Sequence, residues 1–237
     1  MTSIWDQTIR IITVGDRIKS TVKNFKKDYP YYPYLIKISK LEKSEVYIPE
    51  ESDMMVIILA SNEETDSVIP SAQAAHKEGK LTLIITNKPL NSYKNICDGW
   101  AFALDREIDT VVETLLLTII GGGTTGLDQS EWVSSLYGCG KFMTIYLCEK
   151  QLEDGLYNVA SRLDKYLSDN TLNIDSLLFV IYFNFSEWSH IQEYKLCAVK
   201  EYLEGLPDTI NFQWKTAIDD TILSDELKLT AIATFKC

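Results

Sequence analysis

The segment NFQWKTAIDDTILSDELKLTAIAT, residues 211–234, decides how the C-terminal half of the chain folds. Two runs rich in β-branched and aromatic residues, 209–218 and 226–235, flank a short acidic turn, so they predict two closing strands. Working back from them, strand and helix patterns alternate at residues 141–149, 152–167, 175–183 and 187–203. This alternation indicates an α/β fold.

The N-terminal half shows the same alternation. Apolar, β-branched runs predict strands at residues 9–15, 34–38, 45–48, 53–60, 81–86 and 99–104. Amphipathic patterns predict helices at residues 18–27, 67–80, 109–120 and 128–137. The glycine-rich run GGGTTG at residues 121–126 separates the halves, so we expect one domain over residues 1–120 and a second over 121–237.

The composition limits the possible partners. A formal charge of −11 disfavours nucleic acid and anionic lipid, because binding to phosphate needs an excess of Lys and Arg. The five cysteines are widely spaced and the two histidines are isolated, which indicates reduced thiols and no metal site. The start of the chain does not resemble a signal peptide, and the apolar runs are too short to span a bilayer. We therefore expect a cytoplasmic protein without membrane insertion.

Five stretches, in order along the chain, resemble the tubulin/FtsZ superfamily. In the closing segment, Ile218-Asp219, Asp225-Glu226 and Ile232-Ala233-Thr234 resemble the family's closing hairpin. The other four are VGDRIKSTV (14–22), AAHKEGKLTLIITNKPL (74–90), LDQSEWVSSLYGCGKFMTIY (127–146) and EDGLYNVASRLDKYL (153–167).

The resemblance implies a Rossmann-like N-terminal domain with a parallel sheet that binds GTP. It also implies a smaller C-terminal α/β domain with a mixed sheet. Members of the family stack head to tail, and the acidic loop of one subunit completes the GTPase site of its neighbour. The implied partner is therefore a second copy of this chain or another FtsZ- or tubulin-like protein.

The first phosphate loop departs from the family pattern. Residues 15–19 keep Gly15, but Asp16 would place a carboxylate beside phosphate. The resemblance makes Gly15, Arg17 and Lys19 the candidate nucleotide-binding residues, with the two cations as phosphate ligands.

The second phosphate loop has lost its glycines. SNEETDS (61–67) stands where the family has GGGTGTG, so Glu63, Glu64 and Asp66 fall where the triphosphate would lie. These acids would repel phosphate unless a metal intervened. The alternative, which we favour, is that Asn62, Thr65 or Asp66 caps the following helix.

The region that would contact guanine also departs from the pattern. NSYKNICDGW (91–100) replaces a helix that the family usually carries. Asp109 could match the family's guanine-contacting Asp, and a surface helix cap is the alternative that we favour for it.

The acidic loop is better matched. Asp128 and Glu131 stand three residues apart at the start of a predicted helix. In the family, acids at these positions polarise the water that attacks the neighbour's γ-phosphate, so the pair is the catalytic candidate. Helix capping explains the same spacing, and both interpretations stay open. The glycine run that precedes the pair is either a phosphate cradle or a linker, and its position favours the linker.

The sequence therefore predicts an FtsZ-like protein that has lost GTP hydrolysis, needs no cofactor, and acts through contact with itself or a filament-forming relative. Such a protein could cap or regulate filaments in cell division or in the cytoskeleton. The alternative is a divergent, self-assembling GTPase that keeps an altered GTP site.

Overall fold

A computed structural model describes residues 7–14, 35–42, 44–60, 64–90, 93–120, 133–149, 174–184, 208–223 and 226–235, and scattered residues within 157–168 and 201–206. The chain divides into two compact units, one of residues 1–113 with 133–143 and one of residues 114–132 with 144–236. The predicted boundary at 120/121 adjoins residues outside the described ranges, and it stays a prediction.

The first unit contains a parallel sheet. Its elements are β1 (Thr8–Val14), β2 (Leu35–Leu41), β3 (Asp53–Ala60), α1 (Thr65–Lys77), β4 (Leu81–Thr86), β5 (Gly99–Phe102) and α2 (Ile108–Ile120). The strand order is β2-β1-β3-β4-β5, with each strand parallel to its neighbours, and the first residues of β6 (Gly140–Glu149) extend the sheet beside β5. Nearly every residue of β1, β3 and β4 is buried, as expected for strands covered on both faces.

Helix α1 packs on one face of this sheet. Val68, Ala72 and Ala75 contact a core cluster that includes Ile12 and Ile58. The helix ends just before Gly79, whose φ of +72° is a conformation that favours glycine. The predicted helix at 67–80 is confirmed, with its start two residues and its end three residues earlier.

The connection from β4 to β5 contains no helix among its described residues, 87–90 and 93–98. Leu90, Tyr93 and Ile96 instead pack against the core cluster beneath α1. These three side chains cover the sheet that a crossover helix would otherwise cover, so the loop can remain short. The structure thus agrees with the missing helix that the sequence predicted here.

The second unit contains a mixed sheet. Its strands are the later part of β6, β7 (Ile174–Phe183), β8 (Asn211–Ile218) and β9 (Leu227–Phe235), in the order β6-β9-β7-β8. Strand β8 is parallel to β7, and β9 is antiparallel to it. An α/β fold with a parallel sheet followed by a mixed sheet is therefore confirmed.

The predicted closing hairpin is wrong. Both strands form, but β7 lies between β8 and β9 and pairs with each of them. Eight of the ten residues of β7 are buried, so its apolar sequence gains more at the centre of the sheet than at an edge. Adjacency in sequence did not mean adjacency in the sheet.

The strand predicted at residues 45–48 is also wrong. The segment has no strand pairing, although it follows β2 and leads towards β3. Several predicted helices, or parts of them, lie outside the described residues, namely 18–27, most of 187–203 and the start of 128–137. Within 152–167, residues 157, 158, 161 and 163–165 are helical. No described helix is long and apolar enough to cross a bilayer.

Candidate functional site

The topology places a candidate site between the carboxyl ends of β1 and β3. The strand order reverses there, because β2 lies on one side of β1 and β3 lies on the other. Ligands of open parallel sheets bind outside the carboxyl ends of the strands at such a reversal. We call the ends of β1, β3, β4 and β5, with the residues that follow them, the carboxyl-end rim. Gly15, Arg17 and Lys19 follow β1 but lie outside the described residues.

The start of α1 lies at this rim and carries acids. Glu64 is the N-cap residue, yet no side chain makes a cap hydrogen bond. Its carbonyl oxygen accepts hydrogen bonds from the Ser67 amide at 2.9 Å and the Ser67 hydroxyl at 2.7 Å. Asp66 lies in the first turn with its side chain 87% exposed, where a carboxylate suits the helix dipole.

The capping interpretation of this segment therefore needs a correction. The residue at the cap position is Glu64, not Asn62, Thr65 or Asp66. A Glu side chain is longer than the residues that usually cap helices, which agrees with the absence of a side-chain cap bond. The side chains of Glu64 and Asp66 therefore make no cap hydrogen bond at the start of α1.

The end of β4 adds a cation that sequence reasoning did not single out. Lys88 Nζ lies 4.0 Å from Asp66 Oδ1, and the Lys88 amide donates to Thr86 Oγ1 at 3.1 Å. Its neighbour Asn87 donates from Nδ2 to Asp105 Oδ1 at 3.0 Å. The signal was the end of the stretch 74–90, Thr86-Asn87-Lys88-Pro89, since the family resemblance had already marked that stretch.

Two buried polar atoms at the rim have no hydrogen-bond partner among the described residues. One is Oγ1 of Thr13, which precedes the last residue of β1, and the other is Oδ1 of Asn87. Buried polar atoms are nearly always paired, so an unpaired one needs an explanation. Both atoms lie near the carboxyl ends of their strands, the end at which ligands of such sheets bind.

Asp109 lies in the first turn of α2, and its side chain is half-buried. Just ahead of it, the Leu104 amide donates to Glu107 Oε2 at 3.2 Å, and the Glu107 amide returns a bond to the Leu104 carbonyl at 2.7 Å. This reciprocal pair fastens the entry to the helix. The guanine-contacting role of Asp109 stays a prediction.

Asp128 and Glu131 lie outside the described residues, but the segment that follows them does not. Residues 133–139 run into β6 at the opposite, amino end of the first sheet, where Gly140 pairs with Gly99. There Asp98 accepts from the Gly138 amide with Oδ1 at 3.2 Å and from the Thr82 amide with Oδ2 at 2.8 Å. The described continuation of the acidic pair and the carboxyl-end rim are thus at opposite ends of one sheet.

The amino end also carries a buried ionic cluster that sequence reasoning missed. The Arg10 guanidinium lies 3.2 Å from Asp53 and 2.7 Å from Glu50. The Tyr47 hydroxyl donates to Asp53 Oδ2, and Arg10 lies 5.5 Å from the centre of the Tyr47 ring. Burial and the bond to Asp53 raise the pKa of Tyr47 well above its usual 10.0. These residues hold the sheet together and offer no nucleophile.

The Cys97 thiol is also unreactive. Burial, and then the charge of Asp98, raise the pKa of the Cys97 thiol to about 12, which keeps it protonated at neutral pH. Within the ranges that the structure describes, no group of three His, Cys, Asp or Glu residues could hold a metal.

The fold resembles those of several solved structures. FtsZ from M. jannaschii (the W319Y mutant) matches with a TM-score of 0.69 and 12% identity, over 96% of this chain and 91% of that chain. CetZ1 from Haloferax volcanii, in its GDP-bound monomer, matches with a TM-score of 0.62 and 8% identity, over 98% and 94%. TubZ from Bacillus thuringiensis matches with a TM-score of 0.53 and 9% identity, over 79% and 63%. Neither a protein-family model nor a curated protein sequence matches the chain. The tubulin/FtsZ-like fold inferred from the sequence is confirmed.

Proposed function

We propose that this protein is an FtsZ-like subunit that has lost GTP hydrolysis and acts by contact with itself or with a filament-forming FtsZ or tubulin relative. Its role would be to cap or regulate such filaments in cell division or in the cytoskeleton. The observation that carries the proposal is the start of α1. Phosphate-binding helix starts expose backbone amides and exclude negative side chains, whereas this one places Glu64 and Asp66 at the rim.

Electrostatics support the loss of nucleotide. Two like charges 4 Å apart repel by about 1 kcal/mol in water and about 4 kcal/mol near a protein surface. A triphosphate at the start of α1 would meet this repulsion from at least one carboxylate, and Lys88 is already close to Asp66. A weakened or absent GTP site follows.

The opposite ends of the first sheet support action through contact. The segment after Asp128 and Glu131 enters β6 at the amino end, and the candidate nucleotide residues follow strands at the carboxyl end. A subunit built this way could present its acidic pair to a neighbour's nucleotide while offering that neighbour none. Among the similar structures are an FtsZ dimer and protofilaments of TubZ.

The alternative function is a divergent GTPase that binds GTP through Gly15, Arg17 and Lys19 and assembles by itself. The unpaired Thr13 Oγ1 and Asn87 Oδ1 favour it, since a bound nucleotide could satisfy them. A GDP-bound monomer among the similar structures, that of CetZ1, shows that this fold can hold a guanine nucleotide.

Calorimetry with GTP and GDP, followed by a phosphate-release assay, separates the two functions. We expect no binding in the micromolar range and no turnover by the protein alone. Micromolar affinity with turnover would overturn the proposal and establish the alternative. If binding is absent, sedimentation with an FtsZ filament tests the contact, and Asp128→Asn with Glu131→Gln should abolish any effect on that filament's GTP turnover.

A further inference from the structure

The segment from Glu45 to Pro49 has the sequence of a strand but pairs with nothing among the described residues. Its Val-Tyr-Ile core is β-branched and aromatic, which favours an extended, half-buried backbone. The segment connects β2 to β3, yet β2 pairs with β1 alone. Residues 45–49 thus favour a β-strand by sequence but pair with no described strand. Such disagreements between local sequence preference and the fold are often found at functional sites.

The segment is held rigidly although it is unpaired. The Tyr47 amide donates to Ser71 Oγ on α1 at 2.9 Å, and the Tyr47 side chain is buried in the core cluster. At one end the Glu45 amide donates to the Glu42 carbonyl at 3.0 Å, and at the other the Glu50 amide donates to Asp53 Oδ2 at 2.8 Å. A partner would therefore lose little conformational entropy in ordering it.

The residues on either side of Tyr47 face away from the protein. Val46 is 46% exposed and Ile48 is 80% exposed, and neither makes a hydrogen bond to any described residue. Because the Tyr47 amide points to α1, the amides and carbonyls of Val46 and Ile48 point to the other side in an extended backbone. Two exposed apolar side chains and the amides and carbonyls of the same two residues are therefore available to a partner there.

The charges around residues 45–49 indicate which kind of strand could pair with them. Glu42, Glu45 and Glu51 are exposed around the segment, and Glu50 is the acid that Arg10 and Lys37 neutralise. An antiparallel pair with a second copy in the register that sets Glu45 opposite Glu51 would place like charges across the strands, which is destabilising. A partner strand flanked by Lys or Arg would meet them favourably.

We propose that residues 45–49 are a docking strand, which binds an extended segment of another protein that carries alternating apolar residues flanked by Lys or Arg. The main-chain bonds supply the pairing, and Val46 and Ile48 supply apolar contact, in the manner of strand addition to an exposed edge. This proposal is independent of whether the protein binds GTP.

The test uses a fluorescent synthetic peptide, Lys-Val-Thr-Val-Thr-Val-Lys, titrated with the full chain and followed by anisotropy. We expect saturable binding that weakens severalfold as salt rises from low to physiological concentration. The same peptide with Glu in place of Lys, or with alternate amides N-methylated, should bind at least tenfold more weakly. Equal binding of the three peptides, or no binding of the first, overturns the proposal.

Variants separate docking from folding. Ile48→Asp should weaken peptide binding about tenfold or more, because it removes an apolar contact with the peptide and sets a charge that must lose its water against the peptide's Val side chains, while thermal unfolding stays unchanged. Leu223→Asp is the matched control, since Leu223 is also a large, exposed aliphatic residue but lies in the second unit. If the chain dimerises and Ile48→Asp abolishes the dimer, the occupant is a second copy and the proposed partner chemistry is wrong.

Discussion

At the amino end of the first sheet, Asp53 is buried and accepts bonds from Arg10 and Tyr47, whereas at the carboxyl-end rim Asp66 extends into solvent from the start of α1. Asp98, also at the amino end, has both carboxylate oxygens bonded to backbone amides. The amino end thus uses carboxylates to join segments of the chain, whereas Asp66 at the rim stays at the surface. The difference indicates where stability and binding reside: buried acids with several bonds hold the fold, and exposed acids decide which ligands can approach.

The largest loss of stability should come from a substitution at the amino end of the first sheet. Asp53→Asn leaves the buried Arg10 guanidinium without its main counter-charge, so we expect a loss of about 3–5 kcal/mol in the free energy of unfolding. Urea denaturation measures it. Asp66→Asn at the rim is the control and should change stability by less than about 0.5 kcal/mol. Similar losses in the two variants would break the comparison.

A smaller loss is expected at Asp98. Asp98→Asn removes one of two carboxylate acceptors, for the amides of Thr82 and Gly138, so stability should fall by about 2 kcal/mol. Hydrogen exchange at the Gly138 amide should quicken more than exchange in α1. Exchange that is unchanged at Gly138 would mean that Asp98 does not hold the entry to β6.

The second unit also contains a buried carboxylate with bonded partners, Asp219. Burial alone would raise the pKa of Asp219, but the charge of Lys228 and bonds from Thr221 outweigh it and lower the pKa below the usual 3.8. As pH falls, the unfolded chain therefore takes up the proton first, and stability is lost in the acid range through the folded pKa. Urea midpoints between about pH 5 and pH 2 should fall less steeply for Asp219→Asn than for the wild type. Parallel curves would contradict this.

The smallest effect is expected at the rim. Glu64→Gln with Asp66→Asn removes repulsion without creating a phosphate loop, so the affinity for inorganic triphosphate should rise by at most about tenfold. Calorimetry at low salt measures this, with Glu78→Gln at the far end of α1 as the control. A fall in affinity would show that the acids hold the anion through a bound cation.

Much of the fold could be predicted because β1, β3, β4 and β7 are short runs dominated by apolar and β-branched residues, which is the pattern typical of strands in a covered sheet. Residues 45–48 were mispredicted because a strand pattern records backbone preference and not the presence of a partner. The order of β7, β8 and β9 depends on pairing between distant segments, which local pattern does not report.

The candidate site was less predictable. The resemblance marked residues after β1 and before β6, but five of the six named site residues, Gly15, Arg17, Lys19, Asp128 and Glu131, lie outside the described ranges. The Arg10–Asp53 contact joins residues 43 positions apart, and neither sequence neighbourhood hints at the other. Lys88 and Asn87 became candidates only when the topology placed the end of β4 at the rim.

The position of β7 between β8 and β9 has a consequence for the speed of folding. Two strands that follow one another in sequence can often form a local hairpin first, and here they cannot. The bond from the Ser176 amide to Thr234 Oγ1 joins residues 58 positions apart, so a long loop must close before β9 finds its place. We expect the mixed sheet to form slowly and late, because non-local pairing raises the entropic barrier. During synthesis β7 and β8 could pair first, and the other edge of β7 would stay open until residues 227–235 had been made.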